Sequence, residues 1–177
     1  MNILANSIRP KTLDDVLGQE HLIGKGKVLR NLIENKKMFS LILYGTPGIG
    51  KTTLAKVIAN EMDMPYEFLN ATQNNKDDFL RAINDARLSG EKIIIIDEIH
   101  RMNKDKQDIL LPYLESGTVI LIGLTTSNPF IKVNPAIRSR CTIFELKALS
   151  KEDIKKGLEK ALSYLPDIDI SDDALMS

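Results

Sequence analysis

The chain has 177 residues, 43% of them hydrophobic, enough for one sizeable core, since a domain near 150 residues buries roughly two thirds of its unfolded surface. Its 24 basic and 24 acidic residues cancel, so no global field recruits nucleic acid or an anionic membrane, and any such contact has to come from a local patch or from oligomer geometry. A single cysteine, Cys141, excludes an intrachain disulfide framework, and two histidines beside it give no zinc-ligand spacing. A reducing, cytoplasmic compartment is expected.

Residues 1–10 lack the basic start and continuous apolar block of a secretory signal. The longest apolar runs, such as residues 93–96, fall far short of the roughly 20 residues that cross a bilayer. A soluble protein without a membrane partner is expected.

In chain order, Thr12 followed three residues on by Asp15 reads as a capping-box-like start of a short helix before Gly18, and residues 28–37 read as a second helix. Strands follow at residues 41–44, 66–70, 93–97, 119–125 and 142–146, the third an unbroken isoleucine run of the kind covered on both faces. Between them, apolar residues three and four apart mark helices: Leu54, Val57 and Ile58, then Phe79, Leu80 and Ile83, then Ile109, Leu110 and Leu114. Residues 134–141 read as a short helix ending just before the last strand. Short strands alternating with helices predict an α/β fold, a five-stranded parallel sheet in a phosphate-loop sandwich.

After Leu146 the pattern changes. Ser150 and Asp153 are spaced as a helix cap, with Ile154, Leu158 and Leu162 on one face; Pro166 stops that helix, and Ser171 is placed to cap another. The chain ends about one turn later, too soon to complete a helical bundle. The expected organisation is a nucleotide-binding domain over residues 1–147 and the start of a truncated helical lid over 148–177.

Gly45-Thr46-Pro47-Gly48-Ile49-Gly50-Lys51-Thr52 fits the phosphate-loop pattern in every required place, directly after an apolar strand and before an amphipathic helix. Its glycines let backbone N–H groups converge on phosphate oxygens, and the following helix adds its positive end. Lys51 is placed to reach the outer phosphates and the Thr52 hydroxyl to ligate magnesium. Thr53 reads as the next polar helix position or a minor α-phosphate contact.

Asp97 and Glu98 end the isoleucine strand, at the edge where open α/β sheets bind ligands. Asp97 is expected to hold Mg2+, directly or through water, and Glu98 to polarise the attacking water as general base. Adjacent strand side chains diverge, so the two carboxylates serve different atoms. A nucleotide kinase need not place a glutamate there, so Glu98 favours hydrolysis of ATP over transfer to a second substrate.

Thr125, Thr126, Ser127 and Asn128 follow a further buried strand, so small polar groups emerge beside the acidic pair if that strand is its neighbour; Thr126 is the best single candidate to sense the γ-phosphate. Of Arg138 and Arg140, either solvates a surface, or one reaches the nucleotide of a neighbouring subunit and stabilises transition-state charge.

With these residues placed, the chain resembles the AAA+ ATPases, within them the clamp-loader-like branch, through the order of phosphate loop, Asp97-Glu98, Thr125-Thr126 and Ser139-Arg140-Cys141. More narrowly it resembles the replication-associated recombination protein A family, related to the Werner-helicase-interacting ATPase. The resemblance rests on Arg9-Pro10, on the stretch from Leu17 through Leu22, on Asp97 through Lys104 and on Ile122 through Pro129. It implies Val16, Leu17, Gly18 and Gln19 beside the adenine, Lys51 and Thr52 on phosphates and magnesium, Asp97 and Glu98 in catalysis, Thr126 as first sensor and Arg140 as a finger acting in trans. It makes Asn70 a polar switch on the catalytic glutamate, although a strand-terminal turn residue reads equally well there. His100 reads as a packing or interface residue.

Thr46 and Ile49 stand where relatives often have proline and threonine, and Met102 where phenylalanine is usual; none of these removes a catalytic group. A second sensor arginine and the tetramerisation region, expected later in the family, fall beyond Ser177. The resemblance further implies a homo-oligomer acting on DNA at forks or single-strand/duplex junctions, associated with the nucleoid, with single-stranded-DNA-binding protein and replication proteins as partners in replication, repair and recombination. No basic stripe or aromatic platform in the residues carries that DNA role. A clamp-loader subunit, a nucleotide switch without turnover and a small-molecule phosphotransferase are the alternatives.

Overall fold

Five parallel strands form the spine of the protein in the computed structural model, which describes residues 10–163. They are β1 (Leu41–Tyr44), β2 (Tyr66–Asn70), β3 (Lys92–Asp97), β4 (Val119–Thr125) and β5 (Thr142–Glu145), arranged in the order β2-β3-β4-β1-β5. The inner strands are covered on both faces, which is why β3 and β4 carry continuous apolar runs of mostly β-branched residues. At the edge, β2 alternates instead, with Leu69 buried and Tyr66 and Phe68 partly open.

The helices are α1 (Glu20–Ile23), α2 (Val28–Glu34), α3 (Lys51–Glu61), α4 (Lys76–Ser89), α5 (Lys104–Ser116), α6 (Pro129–Lys132), α7 (Pro135–Arg138) and α8 (Lys151–Leu162). They split the core in two. On one face Leu54, Val57 and Ile58 of α3 pack with Leu41, Leu43, Ile93 and Ile95; on the other Phe79, Ile83, Leu110 and Leu114 of α4 and α5 pack with Ile42, Ile94, Ile96 and Leu121. Odd and even strand residues therefore serve opposite layers, as the two-residue period requires.

Several boundaries differ from expectation. The helix predicted over residues 28–37 stops at Glu34, because Lys36 takes a left-handed φ of 55° that no helix continues through. The segment after Thr12 is a 3-10 turn over Leu13–Asp15 in which the Asp15 carboxylate accepts the Thr12 N–H at 3.3 Å. Strand β5 ends at Glu145, one residue early, although the Leu146 N–H still donates to the Tyr44 carbonyl at 2.8 Å. Helix α6 is not among the expected elements: the Asn128 side chain accepts the Phe130 N–H at 3.0 Å, and Pro129 is preset for a first helical turn.

Helix α8 starts as predicted, the Ser150 hydroxyl accepting the Asp153 N–H at 3.1 Å and the Asp153 carboxylate accepting the Ser150 N–H at 3.0 Å. The expectations for the first nine residues, Pro166 and Ser171 lie outside the described residues. Among the described residues no helix is long and apolar enough to cross a membrane.

Candidate nucleotide-binding site

Parallel pairing delivers the strands' C-terminal ends to one edge of the sheet. There Asn70 pairs with Asp97 and Tyr44 with Thr125, and the Gly45 N–H donates to the Thr125 carbonyl at 3.2 Å. The phosphate loop leaves β1 at that edge. Gly48 and Gly50 hold φ of 78° and 102°, values a side chain disfavours, and this curls the backbone into the start of α3. Ile49 packs against the core and closes over Gly45: a Cβ built there meets Ile49 Cγ2 at 3.1 Å. An apolar residue at position 49 thus anchors the loop from beneath.

Lys51 opens α3 and is buried, its ammonium donating to the Gly45 carbonyl at 2.7 Å and the Thr46 carbonyl at 2.9 Å. Burial lowers its pKa, and the nearby Asp97 carboxylate works against that shift. A cavity of about 520 Å³ brings Pro47, Gly48, Gly50, Lys51, Thr52 and Thr53 together with Asp97, Glu98 and Thr126. Thr46 and Ile49 line an adjoining hollow instead, with Leu146, Lys147 and Ala148.

Glu98 adopts a left-handed backbone, φ 53° and ψ 44°, a conformation that costs a non-glycine residue on the order of 1–2 kcal/mol. Two bonds hold it: Asp97 Oδ1 accepts the Glu98 N–H at 2.8 Å, and the Arg101 N–H donates to the Glu98 carbonyl at 2.9 Å. The bend turns the glutamate out of the strand direction while Asp97 remains in it. Oxygen donors on Thr52 and Asp97 line the same cavity, a donor set that suits magnesium, which takes one or two protein oxygens and fills its octahedron with phosphate and water.

Strand β4 does neighbour β3, so the polar run after it emerges beside the acids. Thr126 lines the cavity, whereas Thr125 is buried and points elsewhere: its hydroxyl lies 2.8 Å from His100 Nδ1 and accepts the Ser127 N–H at 3.0 Å. Burial lowers the His100 pKa against the pull of the nearby Glu98 carboxylate. Sequence reasoning left His100 to packing; its partner is set by adjacency of β3 and β4, which no local pattern encodes. Asn70 behaves as a turn residue, its Oδ1 accepting from the Thr72 N–H at 2.9 Å and the Thr72 hydroxyl at 2.8 Å.

The four residues expected beside the adenine are not gathered into one hollow. Val16 and Gly18 line a hollow with Glu20 and Gly24. Leu17 sits in a notch on α8, where a Cβ on Gly157 would meet Leu17 Cδ1 at 2.5 Å. The Gln19 side chain is taken up by the backbone after β5: its Nε2 donates to the Lys147 carbonyl at 2.8 Å, and its Oε1 accepts the Lys147 N–H at 2.9 Å. His21 Nε2 meets the Glu145 carbonyl at 2.7 Å, and Lys160 of α8 donates to Asp15 at 2.6 Å. The segment from Asp15 to His21 is therefore clamped between the end of β5 and α8.

The arginine pair separates cleanly. Arg138 is committed to its own chain, donating to the Phe130 carbonyl at 2.6 Å with its guanidinium over the Phe130 ring. Arg140 is half exposed and held only by a surface pair with Glu115 at 3.0 Å. It precedes β5 at the edge where Thr142 pairs with Leu41, and the phosphate loop leaves the opposite edge, a strand length of about 13 Å away at roughly 3.3 Å per residue. An arginine side chain does not span that, so Arg140 cannot serve its own phosphate loop.

A parallel sheet of this order, with a glycine loop after its β1 strand and paired acids on β3, defines a P-loop nucleotide-binding domain. The family model described as the Holliday junction DNA helicase RuvB P-loop domain matches residues 8–137. Replication-associated recombination protein A of Bacillus subtilis is 49% identical over 162 residues, covering 92% of this chain and 38% of that protein. ATPase WRNIP1 of Dictyostelium discoideum is 41% identical over 92% of this chain and 19% of its own length. Among solved structures, the RuvB Holliday junction branch migration motor of Thermotoga maritima superposes with a TM-score of 0.75 at 29% identity, over 96% of this chain and 58% of that one. The chain belongs to the RuvB-type P-loop family of AAA+ ATPases, in the branch of replication-associated recombination protein A. It spans about 38% of the Bacillus subtilis relative.

Proposed function

We propose that this chain is the ATP-hydrolysing domain of an oligomeric AAA+ protein coupled to DNA in replication-fork maintenance, repair and recombination. The observation that carries the chemistry is the single cavity shared by Lys51, Thr52, Asp97, Glu98 and Thr126. Loop N–H groups and Lys51 hold the phosphates, and Lys51 exchanges its two carbonyl acceptors for phosphate oxygens. Thr52 and Asp97 hold magnesium, which when bound offsets charge on the β- and γ-phosphates. Glu98 accepts the proton of the attacking water, Thr126 contacts the γ-phosphate, and Arg140 completes the site of a neighbouring subunit. Residues through 147 form the nucleotide-binding domain, and 148 onward begin the helical lid.

The DNA role rests on family membership: the names of the relatives speak of replication, recombination and Holliday junctions. Phosphate release is the test. Glu98→Gln should keep nucleotide binding and lose on the order of 10² to 10⁴ in turnover, the usual worth of general-base catalysis; wild-type speed would move the base elsewhere. Turnover of the intact protein that rises with gapped or forked DNA, and less with duplex, is the expected sign of coupling; a rate indifferent to all three refutes it.

A further inference from the structure

Glu98 and Thr126 follow the ends of different strands, β3 and β4, yet general-base catalysis and γ-phosphate sensing require them to hold one separation. Two contacts join the turns that carry them. Ile99, the residue after Glu98, is buried against Gly123 of β4, where an added Cβ would meet Ile99 carbons at 3.3 Å. One residue further, His100 Nδ1 lies 2.8 Å from the Thr125 hydroxyl. That hydroxyl is the hub of the turn around Thr126, because it accepts the Ser127 N–H at 3.0 Å. The 3-10 turn bearing His100 starts at Glu98, whose carbonyl accepts the Arg101 N–H. A single side-chain bond thus links the hydrogen-bonded turn that bends Glu98 into the cavity to the one that presents Thr126 there.

We propose that His100 is a positioning residue for hydrolysis, fixing the sensor threonine relative to the glutamate base through Thr125. It touches neither phosphate nor water and adds nothing to nucleotide affinity, which belongs to the phosphate loop. The packing of Ile99 on Gly123 seats the 3-10 turn against β4; the bond to His100 sets the angle of the Thr126 turn. The inference rests on the reading of the cavity as a hydrolytic site.

The test compares His100→Phe, which keeps a ring but no nitrogen, with His100→Asn, whose amide reaches the place of Nδ1. Steady-state ATP hydrolysis and binding of a non-hydrolysable ATP analogue are measured in the intact protein. His100→Phe should lower kcat by about 10- to 100-fold, the cost of misplacing a reacting group by up to an ångström, with KM and analogue affinity unchanged. His100→Asn should recover most of the loss, and Thr125→Val alone should cost more than His100→Phe, since it also takes the acceptor of the Ser127 N–H out of the turn. The proposal is overturned by unchanged kcat in His100→Phe, by a parallel loss of affinity, or by failure of the asparagine to rescue. Glu98→Gln, run alongside, separates the two layers: if it stays active the hydrolytic reading falls and this inference with it, and if it dies while His100→Phe turns over normally only this inference falls.

Discussion

Removing the Gln19 amide should loosen the seam between the N-terminal segment and the start of the lid, and its effect is calculable. The side chain is 6% exposed and makes two bonds to one residue 128 positions away, at 2.8 and 2.9 Å to the Lys147 backbone. Each is worth about 1 kcal/mol net in a partly buried setting, so Gln19→Ala should cost about 2 kcal/mol. For a domain of this size that lowers Tm by about 4–8 °C. Gln19 also carries a left-handed φ of 57°, a strain that alanine retains and glycine relieves by about 1 kcal/mol. Gln19→Gly should therefore lose the same bonds yet be destabilised only about half as much. Urea unfolding with fitted slopes measures both. An alanine variant within about 0.5 kcal/mol of the parent would show that the bonds contribute nothing, and a glycine variant less stable than the alanine one would refute the strain argument.

The remaining expectations can be checked more quickly. Burial pushes the thiol of the half-buried Cys141 up to about 12, so at pH 8 it should alkylate with iodoacetamide far more slowly than a free cysteine, whose thiolate is abundant there; alkylation at the free rate would contradict that shift. Because burial holds His100 below its ordinary value of 6.5, the unfolded chain takes up a proton that the folded chain does not as pH falls from about 6.5. Stability should drop through that window, and His100→Phe should flatten the drop in urea midpoints; an unaltered profile would mean that His100 titrates normally. Finally, mixing Arg140→Ala with Lys51→Ala subunits of the intact protein should restore part of the ATPase rate that each has lost, since arginine fingers contribute about 10³ to 10⁵; a mixture as dead as its components would rule out action in trans.

The elements most legible in the sequence are those whose signals are local. The isoleucine run of β3, the glycine loop and the Ser150-Asp153 cap each encode their structure within a few residues, and each stands where the pattern puts it. Helix α6 was hidden because a four-residue helix has no period to detect, only the Asn128-Pro129 start. What stayed out of reach depends on strand order. Nothing near Thr125 says that its neighbour will be His100, and nothing near Gln19 says that its amide will be spent on Lys147; both pairings exist because β1 lies between β4 and β5, and β4 beside β3. For the same reason the local pattern alone does not separate Arg138 from Arg140, and only the resemblance points to Arg140; the sheet separates an arginine committed to Phe130 from one in an exposed pair with Glu115 at the far edge.

That separation bears on how such a domain controls its own chemistry. Strand β1 pairs with both β4 and β5, and the extended backbone of these strands holds the two ends of the central layer at a fixed distance. At one edge stand the phosphate loop, the bent Glu98 and Thr126; at the other, Arg140 in an exposed pair with Glu115 that offers little resistance to being exchanged for another anion. Glu98 in the cleft and Gln19 at the seam hold left-handed backbones, each compensated by paired hydrogen bonds. With Arg140 as the proposed finger, a lone subunit brings the phosphate loop, Asp97, Glu98 and Thr126 to one cleft, while the guanidinium that stabilises developing charge has to come from a neighbour. On that proposal turnover depends on a neighbour's far edge meeting this cleft, and assembly acts as the switch.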